Sequence, residues 1–115
     1  MEKKINIGKV ELQIKSSLFT IIAYKNQFGT DLFADVQSLN LTKENMDISN
    51  LVRVLFQIVF ILNKPFNNSI SFDDFLNQFD MDILGDIDEL TGIMNIISEM
   101  LGSVKKKGAS APTPR

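Results

Sequence analysis

The N-terminal segment alternates between apolar and polar residues, which is the pattern of strands with one buried face. The apolar positions are Ile5, Ile7, Val10, Leu12 and Ile14. A two-residue loop beginning at Gly8 would pair Ile7 with Val10 and place every apolar side chain on one face. The pattern therefore predicts a β-hairpin. Because an isolated hairpin is only marginally stable, its apolar face must pack on helices or its edge must pair with another strand.

After Lys15 the apolar residues recur at the period of a helix, about 3.6. A first helix is predicted to begin at the N-cap Ser17 and to stop at Gly29, with an apolar face of Leu18, Ile21, Ile22 and Phe28. A second is predicted to begin at Thr30 or Asp31 and to end near Asn40. Its apolar positions are Leu32, Phe33, Val36 and Leu39. Leu41 to Asp47 is interpreted as a polar connector.

A third helix is predicted from about Ile48 to Leu62, and its part from Leu51 onward is apolar except for Arg53 and Gln57. The apolar stretch is shorter than the ~20 residues that a membrane-spanning helix needs. A helix that is apolar nearly all round is instead central and buried, or it offers a second face to a partner.

Two further helices are predicted after the break at Pro65. Ser71 can cap a short helix whose apolar positions are Phe72, Phe75, Leu76 and Phe79. The last helix is expected from about Asp82 to Val104. One apolar stripe contains Ile83, Ile87, Leu90, Met94, Ile97 and Leu101, and a second contains Ile93, Ile96, Met100 and Val104. The elements predict an α+β fold that is mainly α-helical, with about five helices and an N-terminal β-hairpin. Residues 1–104 are expected to form a single domain, and residues 105–115 a disordered tail.

Composition removes most catalytic chemistry. The 115 residues include no histidine, cysteine or tryptophan, which excludes the Ser-His-Asp and Cys-His systems, the usual zinc sites and disulfides. No phosphate-binding glycine loop is present. The balance of 12 Lys and Arg against 14 Asp and Glu indicates neither nucleic-acid nor membrane binding. We therefore expect a protein that is not an enzyme and has no cofactor.

Acidic residues are concentrated in the C-terminal half of the chain. Asp80 to Gly85 begins like a calcium loop, but its twelfth position is Thr91, where calcium coordination requires a bidentate Glu. No metal site is predicted. No Lys or Arg occurs between Pro65 and Val104. The acidic residues are Asp73, Asp74, Asp80, Asp82, Asp86, Asp88 and Glu89. They form either a solvated face or a docking surface for a basic partner.

The chain is rich in apolar residues, with 44% hydrophobic residues and nine phenylalanines. A helix with two apolar faces can pack one of them inside the domain and the other on a partner. The last helix and the segment before it are the expected place for such an interface. The predicted partner-binding residues are Phe72, Phe75, Phe79, Ile93, Ile97, Met100 and Leu101.

Two short segments and the order of the elements resemble a known family. Tyr24–Leu32 (YKNQFGTDL) lies in and after the first helix, and Phe72–Phe79 (FDDFLNQF) follows the apolar middle helix. Over residues 4–104 the chain resembles the tail assembly chaperones of long-tailed bacteriophages and related prophages of Gram-positive bacteria. It departs from them at Phe75, where the family often has tryptophan, and in the middle helix, where a tryptophan is also common.

This resemblance implies a non-catalytic role in virion assembly. Such chaperones bind the tape-measure protein, keep its helices soluble until tail tube subunits polymerise around it, and tend to self-associate. They commonly exist also as a longer product of ribosomal frameshifting, and Lys105–Gly108 (KKKG) is compatible with an A-rich slippery stretch of codons. The implied partners are the tape-measure protein, the tail tube protein through a longer form, and further copies of the chain.

The N-terminus, MEKKI, does not continue into an apolar signal-peptide region. This pattern predicts a cytoplasmic protein, and the resemblance implies that the cytoplasm is that of the host cell and that the protein is absent from the mature virion. The competing hypothesis is a small adaptor or regulatory protein of a mobile element that acts by helix-in-groove binding.

Overall fold

The computed structural model of the protein describes residues 2–41 and 48–110. Its two strands are β1 (Glu2–Ile7) and β2 (Val10–Lys15). Five α-helices follow in the described ranges: α1 (Leu18–Phe28), α2 (Leu32–Leu41), α3 (Ile48–Asn63), α4 (Phe72–Leu76) and α5 (Ile87–Ser110). Short 3-10 helices occupy Lys64–Phe66 and Met81–Gly85. The predicted fold, α+β and mainly α-helical with an N-terminal hairpin, is confirmed.

The hairpin has the predicted register. Ile7 pairs with Val10 and Ile5 with Leu12, and Gly8 has a φ of 63° in the turn. The apolar face is buried where β2 packs against α3 and β1 against α5. These helices supply the support that an isolated hairpin lacks.

The central element of the core is α3. Every side chain from 54 to 63 is buried, and the helix packs against β2, α1, α2, α4 and α5. This confirms the prediction of a buried central helix. One of its buried polar side chains, Asn63, donates a hydrogen bond from Nδ2 to the carbonyl oxygen of Gln13 at 2.8 Å, which joins α3 to the hairpin.

The predicted helix ends are mostly confirmed. Ser17 is the N-cap of α1, and Gly29 ends the helix with a φ of 78°. Of the two predicted caps of α2, Asp31 provides the bond, because its Oδ2 accepts from the Ala34 N–H at 3.0 Å. Ser71 Oγ accepts from the Asp74 N–H at 3.1 Å and caps α4. Each side chain satisfies a backbone donor that the first turn of a helix leaves unpaired.

The last helix differs from its predicted bounds at both ends. It begins at Ile87 instead of about Asp82, because Asp86 Oδ1 accepts from the Glu89 N–H at 3.0 Å and starts a new helix. It ends at Ser110 instead of Val104. Lysine is a good helix former and is favoured at a helix C-terminus, so the helix continues through 105–107. The predicted boundary at 104 thus falls inside α5. Residues 111–115 of the predicted tail and 42–47 of the predicted connector lie outside the described residues.

Aromatic rings form a continuous chain of contacts through the core. Neighbouring rings have centroids 5.1 to 6.3 Å apart. The series starts with Tyr24, which contacts Phe28, and Phe28 contacts both Phe60 and Phe72, which also contact each other. From Phe60 it continues to Phe75, then to Phe79 and finally to Phe56. The rings belong to α1, α3, α4 and the residues just after α4. Tilted and edge-to-face geometry of this kind adds to the stabilisation from burial.

Candidate interaction surfaces

The structure brings the seven predicted partner-binding residues together in and against one hydrophobic core. Five of them are at most 4% exposed: Phe75, Ile93, Ile97, Met100 and Leu101. The other two, Phe72 and Phe79, are partly buried and pack against the same core. In the isolated chain the five buried side chains are therefore core, and a partner could reach them only if the core opened.

The position of α5 explains why its apolar stripes are not available. The helix packs against both β1 and α3, so Ile93 of the second predicted stripe and Leu101 of the first are both buried. The apolar surplus that the sequence places on α5 is used to support the hairpin. Among the side chains whose burial the structure describes, the largest exposed apolar ones lie outside α5.

The first exposed surface lies on α1, and we call Leu18, Phe19 and Ile22 the α1 patch. Leu18 is 78%, Phe19 45% and Ile22 62% exposed. The predicted helix face was wrong for Leu18 and Ile22, whereas Ile21 and Phe28 of the same face are partly buried against the core. The fully buried residues of α1 are Thr20 and Tyr24. Two apolar side chains one helical turn apart are thus directed to solvent.

Polar contacts of Tyr24 determine which face of α1 is inside. Its Oη donates a hydrogen bond to Asp35 Oδ2 at 2.6 Å and lies 3.1 Å from Gln57 Oε1. Thr30 Oγ1 donates to the same Asp35 oxygen at 2.8 Å. Burial raises the pKa of Tyr24, and the hydrogen bond and negative charge of Asp35 raise it further. The neutral phenol therefore joins α1 to α2 and α3, and Leu18 and Ile22 point away.

Basic residues lie beside the α1 patch. Phe19 lines a shallow depression together with Lys15, Lys64 and Pro65. The surface is therefore apolar with cationic neighbours.

The second exposed surface is an apolar groove beside α4, which we call the α4 groove. It has a volume of about 130 Å³. Met81 is 81% and Leu76 36% exposed. The lining residues are Val52, Phe56, Leu76, Phe79, Asp80, Met81, Ile83 and Leu84. An exposed methionine in an apolar setting can adapt its shape to different partners.

An acidic cavity of about 310 Å³ adjoins the α4 groove, and Phe79, Asp80 and Ile83 line both. The carboxylates that line it belong to Asp80, Asp82, Asp86 and Glu89, and Lys9 also lines it. Glu89 accepts a hydrogen bond from the Gly8 N–H of the hairpin turn. In the part of the chain that the structure describes, no group of three or more such residues is arranged to hold a metal ion.

Sequence reasoning did not select the α1 patch or Met81. A signal for the α1 patch was present, since Tyr24 is the only tyrosine of the chain and a buried tyrosine hydroxyl needs a partner. A helix that turns Tyr24 inward must turn Ile22 outward. Met81, the first residue of the 3-10 helix Met81–Gly85, carries no comparable signal in the sequence.

Comparisons with protein-family models, with curated proteins and with solved structures find no match for the chain. Of the helices in the described ranges, none combines the length and the hydropathy that crossing a membrane would require. The observations define a mainly helical α+β protein, and within residues 2–41 and 48–110 we distinguish two exposed apolar surfaces, the α1 patch and the α4 groove.

Proposed function

We propose that the protein is a non-catalytic tail assembly chaperone of a bacteriophage or prophage. It binds and solubilises the tape-measure protein in the host-cell cytoplasm and helps to recruit tail tube subunits, and it is absent from the mature virion. The observation that carries the proposal is the α1 patch, because large exposed apolar side chains grouped on one helix are typical of protein-binding surfaces. The resemblance of Tyr24–Leu32 and Phe72–Phe79 to the chaperone family supports the identity of the client.

The α1 patch covers an apolar helix face of the client that would otherwise aggregate. The three side chains are already partly buried in the free chain, so covering what remains exposed of them stabilises a complex by about 3–6 kcal/mol, at ~1.5–3 kcal/mol for each fully exposed side chain. Association costs ~4–15 kcal/mol in lost freedom of motion. One patch therefore gives weak binding, and holding a long client requires several copies acting together. This reasoning supports a homo-oligomer arranged along the tape-measure protein, with a frameshifted longer form that contacts the tail tube protein.

Co-expression with the tape-measure protein tests the proposal. The variant Leu18→Asp plus Ile22→Asp removes the apolar character of the patch at side chains that are already exposed, so it should fold. We expect the soluble fraction of the client to fall severalfold. The matched control is Asn26→Asp plus Gln27→Glu, which adds the same charge at exposed polar positions of α1. A folded patch variant that solubilises the client as well as wild type would contradict the assignment.

The alternative is a small helical adaptor or regulatory protein of a mobile element. The α4 groove favours it, since an apolar groove is the receptor side of helix-in-groove binding. Gene order separates the two hypotheses. A gene between those of the major tail protein and the tape-measure protein favours the chaperone, and a gene beside regulatory functions favours the adaptor.

A further inference from the structure

We infer that the α4 groove binds an amphipathic segment of a client protein, with an apolar side chain in the groove and an adjacent Lys or Arg directed to the acidic cavity. For the identity of the client this inference rests on the proposed function. For the binding chemistry it rests on the groove and its charges alone.

The groove offers apolar surface that the fold does not cover. Phe56 and Phe79, with ring centroids 5.1 Å apart, line it together with Val52. Met81 and Leu76 are exposed beside them. The volume of about 130 Å³ suits one or two large apolar side chains rather than a broad protein face. The occupant is therefore a short segment with a single apolar anchor or a closely spaced pair.

The acidic cavity determines which charged side chains the bound segment carries beside its apolar anchor. The groove and the acidic cavity adjoin each other, because Phe79, Asp80 and Ile83 line both. Four carboxylates line the cavity against one ammonium group, that of Lys9. Asp86 and Glu89 already accept backbone hydrogen bonds, whereas Asp80 and Asp82 are exposed.

No Lys or Arg is among the residues that line the groove, and none occurs between Pro65 and Val104. A bound Lys or Arg is attracted to this edge, and a bound Glu or Asp is repelled.

A peptide titration tests the inference with the full chain. The probe is a fluorescein-labelled amphipathic peptide of about 15 residues, with leucines on one face and lysines beside them. A second peptide carries glutamate at each lysine position. We expect fluorescence anisotropy to show saturable binding of the lysine peptide, binding at least tenfold weaker for the glutamate peptide, and an affinity that falls as salt is raised. Equal affinity for the two peptides, or no binding of either, would overturn the inference.

The chain offers a control variant outside both exposed surfaces. Met81→Asp places a charge in the groove, and Phe66→Asp places the same charge at another exposed apolar side chain, one that lies in neither the α1 patch nor the groove. We expect a loss of tenfold or more for Met81→Asp and a change within about twofold for Phe66→Asp, each checked for folding by circular dichroism. Met81→Gln provides a neutral second variant. Equal effects at the two positions would place the peptide outside the groove.

The charges are tested separately. Asp80→Asn plus Asp82→Asn should weaken the lysine peptide about threefold to tenfold and leave the glutamate peptide unchanged or tighter. Glu2→Gln plus Glu11→Gln, which makes the same change in net charge on the hairpin, should alter the affinity of neither peptide.

If Met81→Asp instead abolishes self-association and leaves peptide affinity intact, the occupant is a second copy and the inference fails. Peptide binding by a chain that does not solubilise the tape-measure protein would overturn the proposed function alone. Solubilisation without peptide binding would overturn this inference alone.

Discussion

The hydroxyl group of Tyr24 holds α1 in the orientation that exposes the α1 patch, and Tyr24→Phe removes it while keeping the ring. The ring retains its contact with Phe28, at a centroid distance of 5.1 Å. What is lost is the bond to the Asp35 carboxylate at 2.6 Å and the contact with Gln57 at 3.1 Å. A phenol has one proton, and the shorter bond to a charged acceptor is the dominant one.

The expected loss follows from these contacts. A hydrogen bond to a charged group contributes ~1.5–3 kcal/mol. The lower part of this range applies, because Thr30 Oγ1 still donates to Asp35 at 2.8 Å and Arg53 to Gln57 at 3.4 Å. We expect the free energy of unfolding to fall by about 1.5–2 kcal/mol. At ~4 °C per kcal/mol for a domain of this size, Tm should fall by about 6–8 °C.

Urea unfolding followed by circular dichroism measures the change, because the variant has neither tyrosine nor tryptophan for fluorescence. Asp35→Asn and the double variant complete a cycle that isolates the Tyr24–Asp35 interaction. A loss below about 0.5 kcal/mol for Tyr24→Phe, or purely additive effects in the cycle, would refute the view that this bond orients α1.

Three further predictions follow from burial, ionisation and capping. Ile97→Asp places a charge in the core and should unfold the chain, because it removes several kcal/mol of the ~5–15 kcal/mol by which a folded domain is stable. The control Ile22→Asp should have a free energy of unfolding within about 1 kcal/mol of wild type. Equal melting temperatures of the two variants would contradict the core assignment. Because the pKa of Tyr24 is raised in the folded state, its stabilising effect is present below the unfolded pKa of about 10 and is lost as pH rises through the folded pKa. Phenolate absorbance should therefore appear together with the loss of helical circular dichroism, and a phenolate signal in a still-folded chain would exclude the buried network. Ser71→Ala removes the bond to the Asp74 N–H and should lower the free energy of unfolding by ~0.5–2 kcal/mol. Urea unfolding measures the change, and the control is Ser69→Ala, at an exposed residue outside the helices.

The hairpin, the helix caps and the central helix were predictable because each depends on neighbours in sequence. A glycine at a two-residue turn and Ser71 before a helix act locally. The run from Leu51 to Leu62 is apolar except for Arg53 and Gln57, so most of its surface had to be buried by some packing partner.

The surfaces were not predictable by the same reasoning, because α1 has two candidate inner faces. Periodicity favours Leu18 with Ile22, while the structure buries Thr20 with Tyr24. The choice depends on Asp35 and Gln57, which come from other helices. The difficulty on α5 is similar. A wide apolar stripe indicates that the helix face is buried, but it does not indicate whether that face packs against a partner or against the hairpin of the same chain.

The chain of aromatic rings has a consequence for local unfolding. It begins at Tyr24 on α1, which carries the α1 patch, and ends at Phe79 and Phe56, which line the α4 groove. Elements that share one packed array tend to open as a single cooperative unit. The two surfaces therefore belong to one such unit, and amide hydrogen exchange in α1 and α4 should slow together when either surface is occupied.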